Sequence, residues 1–453
     1  GDPPDPEASG MIQVLERVFQ LAARGTNPRT EVLAGVTTFI TMSYILFVNP
    51  NILGDPVLGA QAMDKQAVLM ATALACAFGS LAMGLYANLP FALAPGMGMN
   101  ALFAYTAVLH LGLTWQAALG AVFLDGCLFM LLSLFPIRER LFREIPFNIK
   151  VATSVGIGLF ITFIGLRNAG IVVNFEATSV KMGDLTSPGV LVAVFGLVLT
   201  AWLLARKVKG ALLLGILAST GLALLTGVAK YPGGSLVSLP DWQVLGKVFL
   251  KLDLTSAWDK GMLFIVFTFT FVSVFDTAGT LVGLTTKLGW IDRENQTFPA
   301  LPKALVADAG AIMFGAVAGT STTTTYIESA TGVAEGGRTG LTAVTCAALF
   351  LATLVLAPLA GLIPAQATAP ILILVGYFML EPVVELRLDD ITEALPAFLT
   401  MIMMPFTYSI AHGLIWGILC YVALKVLTGR WREVQVTTWV LAVLFLISIV
   451  YHP

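Results

Sequence analysis

The sequence predicts an all-α polytopic membrane protein with fourteen transmembrane segments, arranged as two inverted sets of seven. Each set contains one half-helix preceded by a short strand. Three observations predict this: 57% of residues are hydrophobic and only 11% charged; apolar runs of membrane-spanning length recur along the chain; and two of those runs are broken at their start, at matching positions in the two halves.

A soluble domain carries about 25% charged residues, so a chain with 11% is not soluble. The 43 glycines and 22 prolines do not mark disorder, because membrane helices tolerate both where neighbours satisfy the freed backbone. A net charge of −2 argues against a nucleic-acid surface. Cys76, Cys127, Cys346 and Cys420 lie in apolar runs and read as small packing residues, not as a disulfide or metal framework. His110, His412 and His452 are too few and scattered for a metal site, and none is expected. Residues 1–10 are polar and Pro-rich, resemble an expression remnant, and are set aside; no cleavable signal peptide follows. Met11 to Arg29 reads as a short amphipathic helix.

A spanning helix needs about 20 mainly apolar residues. The candidates are 31–50, 66–87, 91–109, 114–136, 147–166, 188–205, 210–228, 261–285, 300–317, 319–334, 339–362, 366–384, 392–410 and 412–428. Trp439 to Val450 is short for a span and reads as interfacial, with a fifteenth span as the alternative. Lys and Arg concentrate on the cytoplasmic side of a membrane protein. With the N-terminus in the cytoplasm, 18 of them fall on that side, among them Arg138, Arg140, Arg143 and Arg293, and 7 on the other. The split supports fourteen spans and cytoplasmic N- and C-termini. Loop 229–260 carries Trp242, Phe249 and Trp258 among lysines, which suits an amphipathic helix on the outer surface.

An odd number of spans per set inverts the second set relative to the first, a common transporter plan whose site lies where helices break. The third span opens at Asn88 to Asn100 with Pro90, Pro95, Gly96 and Gly98. The prolines forbid a regular helix there, so the helix starts near Pro95 to Asn100 with its positive end inside the membrane. The tenth span opens with six Ser and Thr residues, Thr320 to Thr325, which favour an extended strand; its helix runs from near Tyr326 to Gly336. The two extended stretches are expected to pair, with two helix starts facing each other. The plainer alternative is glycines for tight packing and hydroxyls bonded to neighbouring carbonyls; matching positions in the two halves weigh against it.

Four acids fall inside apolar runs: Asp125, Asp276, Asp308 and Glu328. A charge at the bilayer centre costs at least about 2.5–3.5 kcal/mol, so each needs a reason. Ser273, Asp276, Thr277 and Thr280 share one helix face, and no Lys or Arg inside the run neutralises Asp276. Glu328 lies near a helix start, where the dipole stabilises a carboxylate while burial opposes it; its protonation stays open. For both, a structural acid, bonded to hydroxyls or capping a helix, is the alternative. For Asp125 and Asp308 hydrogen bonding to Ser, Thr or freed backbone is the leading reading, with Lys303 a further partner for Asp308.

Four stretches resemble the AzgA-like (guanine/hypoxanthine permease) branch of the nucleobase:cation symporters: LAGVTTFITMSY from Leu33 to Tyr44, PGMGMNA from Pro95 to Ala101, FDTAGTL from Phe275 to Leu281, and Gly319 to Gly332. They occur in order over most of the chain. The resemblance implies the seven-plus-seven fold of uracil permeases and of sulfate and bicarbonate exchangers. Its core domain would be residues 11–136 and 261–362 (spans 1–4 and 8–11), and its gate domain 137–228 and 363–428. Loop 229–260 and a C-terminal interfacial helix, 429–453, complete the chain. It further implies an elevator-type importer of adenine, guanine or hypoxanthine in the bacterial inner membrane, coupled to a cation, H⁺ or Na⁺, and not an enzyme. No other cofactor and no catalytic residue is implied. Family members are often dimers, although no dimer contact can be read here.

Mapped by motif, Asp276 and Glu328 take the places of the carboxylates that contact the base, and Gly98 and Asn100 those implicated in purine recognition. Met99, Thr277, Thr325, Tyr326 and Ile327 complete the expected substrate set, and Asp276, Glu328 and Thr280 the cation-coupling set. The chain departs from uracil permeases in carrying Asp276 for Glu and Thr280 for His; the shorter acid leaves room for a bicyclic base. Two carboxylates can accept from purine N–H groups, while half-helix N–H groups donate to its acceptors. An anion exchanger of this fold is disfavoured by the two acids, an acid-pair enzyme by the lack of supporting motifs, and a channel by the carrier-like plan.

Overall fold

In lipid the backbone must bond to itself, so long apolar runs become helices. The computed structural model describes residues 6–134, 144–231, 233, 235–255, 260–290 and 298–451. Arg138, Arg140, Arg143, Trp258, Arg293, His452 and the first five residues of the leading stretch lie outside them.

The first half contains α1 (Pro6–Phe19), α2 (Pro28–Met42), α3 (Ile45–Leu53), α4 (Lys65–Tyr86), β1 (Leu93–Pro95) and α5 (Met97–Ala101), which continues as wider π-type turns over Leu102–His110. α6 (Trp115–Leu134), α7 (Phe147–Asn168), the hairpin β2 (Val172–Phe175) and β3 (Ser179–Met182), α8 (Pro188–Ala205) and α9 (Ala211–Leu225) follow. The second half holds α10 (Trp242–Leu245), α11 (Lys260–Leu288), α12 (Leu301–Ala318), β4 (Thr323–Thr325), α13 (Ser329–Ala334) and α14 (Gly340–Ala352). α14 runs on as a tighter 3-10 stretch, Thr353–Gly361, before α15 (Ala365–Phe378), α16 (Ile391–Thr407), α17 (Ile410–Leu427) and α18 (Val436–Tyr451). Among the described residues ten helices are long and apolar enough to cross a membrane, and Ala211–Leu225, Ile391–Thr407 and Val436–Ile447 are shorter apolar helices. The chain is a helical, multi-pass membrane protein.

The helices sort into two packed sets. α14 packs against α2 and α4, α4 also against α12, and α6 against α11 and α12. Separately, α7 packs against α15, α16 and α17, and α8 against α9 and α15. Small residues let backbones approach closely, as membrane helices require. At Gly340 an added Cβ would collide with the Gly84 carbonyl, so α14 and α4 cross without side chains between them. A buried charge also holds the first set together. Glu31, fully buried, accepts from Arg338 N–H at 2.8 Å, Thr339 N–H at 3.2 Å and the Thr342 hydroxyl at 2.6 Å. It thereby satisfies donors at the start of α14, where the helix dipole favours an anion.

Several expectations need correction. The first span is present as Pro28–Leu53, but its hydrogen-bond ladder is interrupted between Met42 and Ile45, which leaves Tyr44 at the junction. The amphipathic helix expected across 229–260 is a single turn, Trp242–Leu245, because turns follow it and Leu250 adopts a left-handed φ of 55°. The helix expected from Met11 to Arg29 ends at Phe19, where Gln20 has φ 57°. Cys127 is exposed rather than packed inside. His110 and His412 are not scattered: their rings meet edge to face at 4.7 Å.

Candidate functional site

The two broken spans meet. α12 ends at Gly319, whose φ of 99° only glycine adopts freely, and the Ser/Thr run then extends. β4 pairs antiparallel with β1, setting Leu93 against Thr325, Ala94 against Thr324 and Pro95 against Thr323. The pairing continues outward: Gly96 N–H donates to the Thr322 carbonyl and Tyr326 N–H to the Ala92 carbonyl, both at 3.0 Å. Ala92 N–H and Leu93 N–H, which a two-stranded ribbon would leave unpaired, donate to Ser329 Oγ and Ser80 Oγ at 3.0 Å each. Non-helical backbone at this depth is thus satisfied from within. α5 starts immediately after β1, with Gly96 as its N-cap.

Asp308 organises the other side of the strand. Fully buried on α12, it accepts from the Thr277 hydroxyl at 2.7 Å, Thr324 at 3.1 Å and Thr325 at 2.7 Å. Lys303, the alternative partner, instead lies over the Tyr86 ring. Hydroxyl partners of this kind stabilise a buried carboxylate, and they clamp β4 between α11 and α12.

Asp276 sits in the middle of α11 and is half-buried. Its Oδ2 lies 3.4 Å from where a Cβ on Gly96 would stand, so the carboxylate abuts the start of α5. It lies within electrostatic range of Asp308 and Glu328. With Thr280 and Ile327 it lines a cavity of about 500 Å³ between α11, α7 and the segment after α15. Lys150, Glu381 and Glu385 also line it, and Phe147 and Phe378 on its wall are exposed, so it reaches the surface. That volume falls in the range of small-molecule sites.

Glu328 stands at the N-cap position of α13, yet its side chain caps nothing. Its Oε1 accepts from the Tyr44 hydroxyl at 2.6 Å. Tyr44 is the site neighbour that sequence reasoning missed. Its place is set by the interruption of the first span, and the one local sign was the Ser-Tyr pair closing the LAGVTTFITMSY stretch. Nearby, the Thr41 hydroxyl lies 3.0 Å from that of Thr331, a separate tie between α2 and α13.

Of the expected substrate and cation residues, Asp276, Thr280 and Ile327 line the cavity. Thr277 and Thr325 are buried behind it with their hydroxyls on Asp308. Met99 and Asn100 are fully buried, and Asn100 Oδ1 accepts from the Ser321 hydroxyl. The Tyr326 hydroxyl donates to the Pro95 carbonyl at 3.0 Å. Gly98 faces α7, where an added Cβ would lie 2.7 Å from Ile157 Cγ2. The polar face of α11 therefore divides: Ser273 and Thr277 serve Asp125 and Asp308, while Asp276 and Thr280 face the cavity.

Comparison with known proteins bears on this arrangement. The bicarbonate transporter BicA transmembrane domain, from a cyanobacterium, superposes with a TM-score of 0.60 at 15% identity, covering 85% of this chain and 97% of its own. SLC26A9 gives 0.61 at 11% identity, covering 94% and 70%. These likenesses show the fold. In sequence, a putative permease of Methanocaldococcus jannaschii is 47% identical, covering 97% of this chain and 99% of its own. Adenine permease AdeP of Escherichia coli is 43% identical over 97% and 96%, and guanine/hypoxanthine permease PbuG of Bacillus subtilis 41% over 96% and 100%. The permease family Xan_ur_permease matches residues 29–415. With its paired broken spans and that match over most of its length, the chain belongs to the Xan_ur_permease family of permeases.

Proposed function

We propose that this permease is a secondary active transporter that imports purine nucleobases (adenine, guanine or hypoxanthine) by symport with a cation, a proton in this reading. The carrying observation is Asp276: a half-buried carboxylate on a cavity wall, against the start of α5 and within reach of Glu328. A purine offers N–H donors to the two carboxylates, and its ring nitrogens and carbonyl oxygen suit the N–H groups at the helix start. Such a site rejects bases lacking a matching group, because its own buried groups would be left unpaired. Relatives named adenine permease and guanine/hypoxanthine permease support purines over pyrimidines. Two carboxylates also argue against an anionic substrate, whatever the fold's other members carry.

In this reading the ten long helices, the shorter α9 and α16, and the two broken spans make fourteen crossings in two inverted sets. The set around α4 acts as the core, moving past the gate set around α7 in an elevator stroke. Both termini lie in the cytoplasm of a bacterial inner membrane. The cavity then opens inward. In this reading the outward side is held shut by an aromatic group, Tyr408 with its ring 5.3 Å from those of Tyr105 and Phe160 and Arg167 5.3 Å over it.

Radiolabelled adenine, guanine or hypoxanthine should enter proteoliposomes under an inward cation gradient. Asp276→Asn and Glu328→Gln should each abolish uptake in protein that stays monodisperse. Normal transport by both variants would overturn the assignment.

A further inference from the structure

The fourth acid in the apolar runs lies apart from the cavity. Asp125, on α6, is fully buried. Its Oδ2 accepts from the Ser273 hydroxyl at 2.9 Å. Its Oδ1 has no hydrogen-bond partner among the described residues, and neither has the hydroxyl of Thr322, also fully buried. Thr322 and Thr270 lie near the carboxylate, but the Thr270 hydroxyl donates to the Val266 carbonyl at 3.0 Å, which leaves Thr322 as the free hydroxyl beside it. A bare carboxylate oxygen inside a membrane costs several kcal/mol unless a positive charge reaches it. α6 carries no Lys or Arg, and those of α11 and α12 sit near the helix ends, at Lys260, Lys287 and Lys303.

We propose that Asp125 Oδ1 and Thr322 Oγ1 form the binding site of the coupling cation, a proton or a sodium ion, with Ser273 holding the carboxylate by its other oxygen. This rests on the transport reading and deepens it, because it separates the cation from the base. The ionisable groups around it are otherwise engaged. On α11, Asp276 faces the cavity; on α12, Asp308 takes three hydroxyls and Lys303 lies over Tyr86. On the turns after α5, Tyr105 donates to Asp55 and His110 meets His412. Cys127, on the same helix, is in electrostatic reach of Asp125.

The link to the base site is short. Thr322 is drawn to Asp125 by its side chain, while its carbonyl accepts from Gly96 N–H at 3.0 Å. Gly96 begins α5 and abuts Asp276. The neighbouring Ser321 bonds Asn100 on α5. A cation joining Asp125 to Thr322 therefore fixes the strand that positions the helix start beside Asp276. It also neutralises a charge that would otherwise oppose movement of the core through the membrane.

The test compares two readouts in proteoliposomes: purine counterflow exchange, which needs no net cation movement, and accumulation under an imposed gradient. Accumulation is driven by pH without Na⁺ in one arm and by Na⁺ at equal pH in the other; the arm that drives the wild type identifies the cation. Asp125→Asn should keep exchange and lose accumulation at least about tenfold, equivalent to about 1.4 kcal/mol of coupling. Accumulation at the wild-type level would overturn the proposal, as would loss of exchange in monodisperse Asp125→Asn protein. Should that variant aggregate, Thr322→Val decides by the same two readouts. A wild type that exchanges no purine would instead refute the transport reading, and this site with it.

Discussion

A methyl group at Gly98 tests whether this glycine serves the purine or the sliding surface. Built on the present backbone, the new Cβ stands 2.7 Å from Ile157 Cγ2, about 1 Å inside a comfortable carbon–carbon contact. Ile157 is 4% exposed on α7, and its branched Cβ keeps one stiff rotamer in a helix, so the methyl it presents cannot swing aside. Overpacking of this kind costs about 1–3 kcal/mol. In the elevator reading α5 and α7 belong to different bodies, so the cost falls on the arrangement seen here and lowers its population roughly 5- to 150-fold. The assay is the labelling rate of a cysteine at Ser154, on the cavity wall, in a background with Cys127 and Cys420 replaced by serine. Gly98→Ala should slow labelling and uptake together. Adding Ile157→Ala removes the colliding methyl and should restore both, despite its own cavity cost. A double variant that labels and transports no faster than Gly98→Ala alone would refute close approach as the role of this glycine.

Tyr44→Phe removes the 2.6 Å hydrogen bond to Glu328; loss of about 1.4 kcal/mol should weaken purine affinity about tenfold by calorimetry, whereas Thr41→Val, which bonds Thr331 and not Glu328, should leave it unchanged. Between α17 and α18, Arg430 and Lys425 hold the Glu433 carboxyl down to about 2, from an ordinary 4.5. A carboxyl depressed by folding stabilises fully above its unfolded value and loses that contribution as pH falls through the folded one. The melting temperature of the purified protein should therefore drop between about pH 4.5 and 2, with Asp390, lowered mainly by the same Arg430, contributing in the same sense, and Arg430→Met should flatten the drop.

The broken spans could be read from the chain because their causes are local. Pro90, Pro95 and the Thr320–Thr325 run forbid or disfavour helix wherever they stand, and the strand pair lies where those residues put it. Asp276 stands out in the sequence for a similar reason, since an unpaired acid in an apolar run needs a purpose, and the structure sets it on a cavity wall. The partners were not legible, since they come from distant segments. Nothing near Thr277 or Thr325 in sequence announces Asp308. Glu328 reads from the sequence as a base-contacting acid, with helix capping the alternative, and neither reading announces Tyr44, 284 residues away, which supplies its donor. The expected amphipathic helix after Lys230 followed from tryptophans among lysines, a pattern that a single turn with exposed Trp242 satisfies equally well. His110 and His412 looked unrelated because only tertiary packing brings α17 against the end of the third span.

The pairing of β1 with β4 also bears on how the protein is made. Ala92 and the Ser329 hydroxyl that satisfies its N–H are 237 residues apart in the chain. While the ribosome works through that interval, β1 sits in or beside the bilayer with its polar edge open, and no other strand has been made to close it. Until the Ser/Thr run emerges, the N–H and C=O groups along that edge need some other hydrogen-bonding partner than lipid. A nascent chain stopped short of Thr323 would carry an uncovered ribbon edge in lipid, a mark by which quality control could tell an unfinished molecule from a complete one.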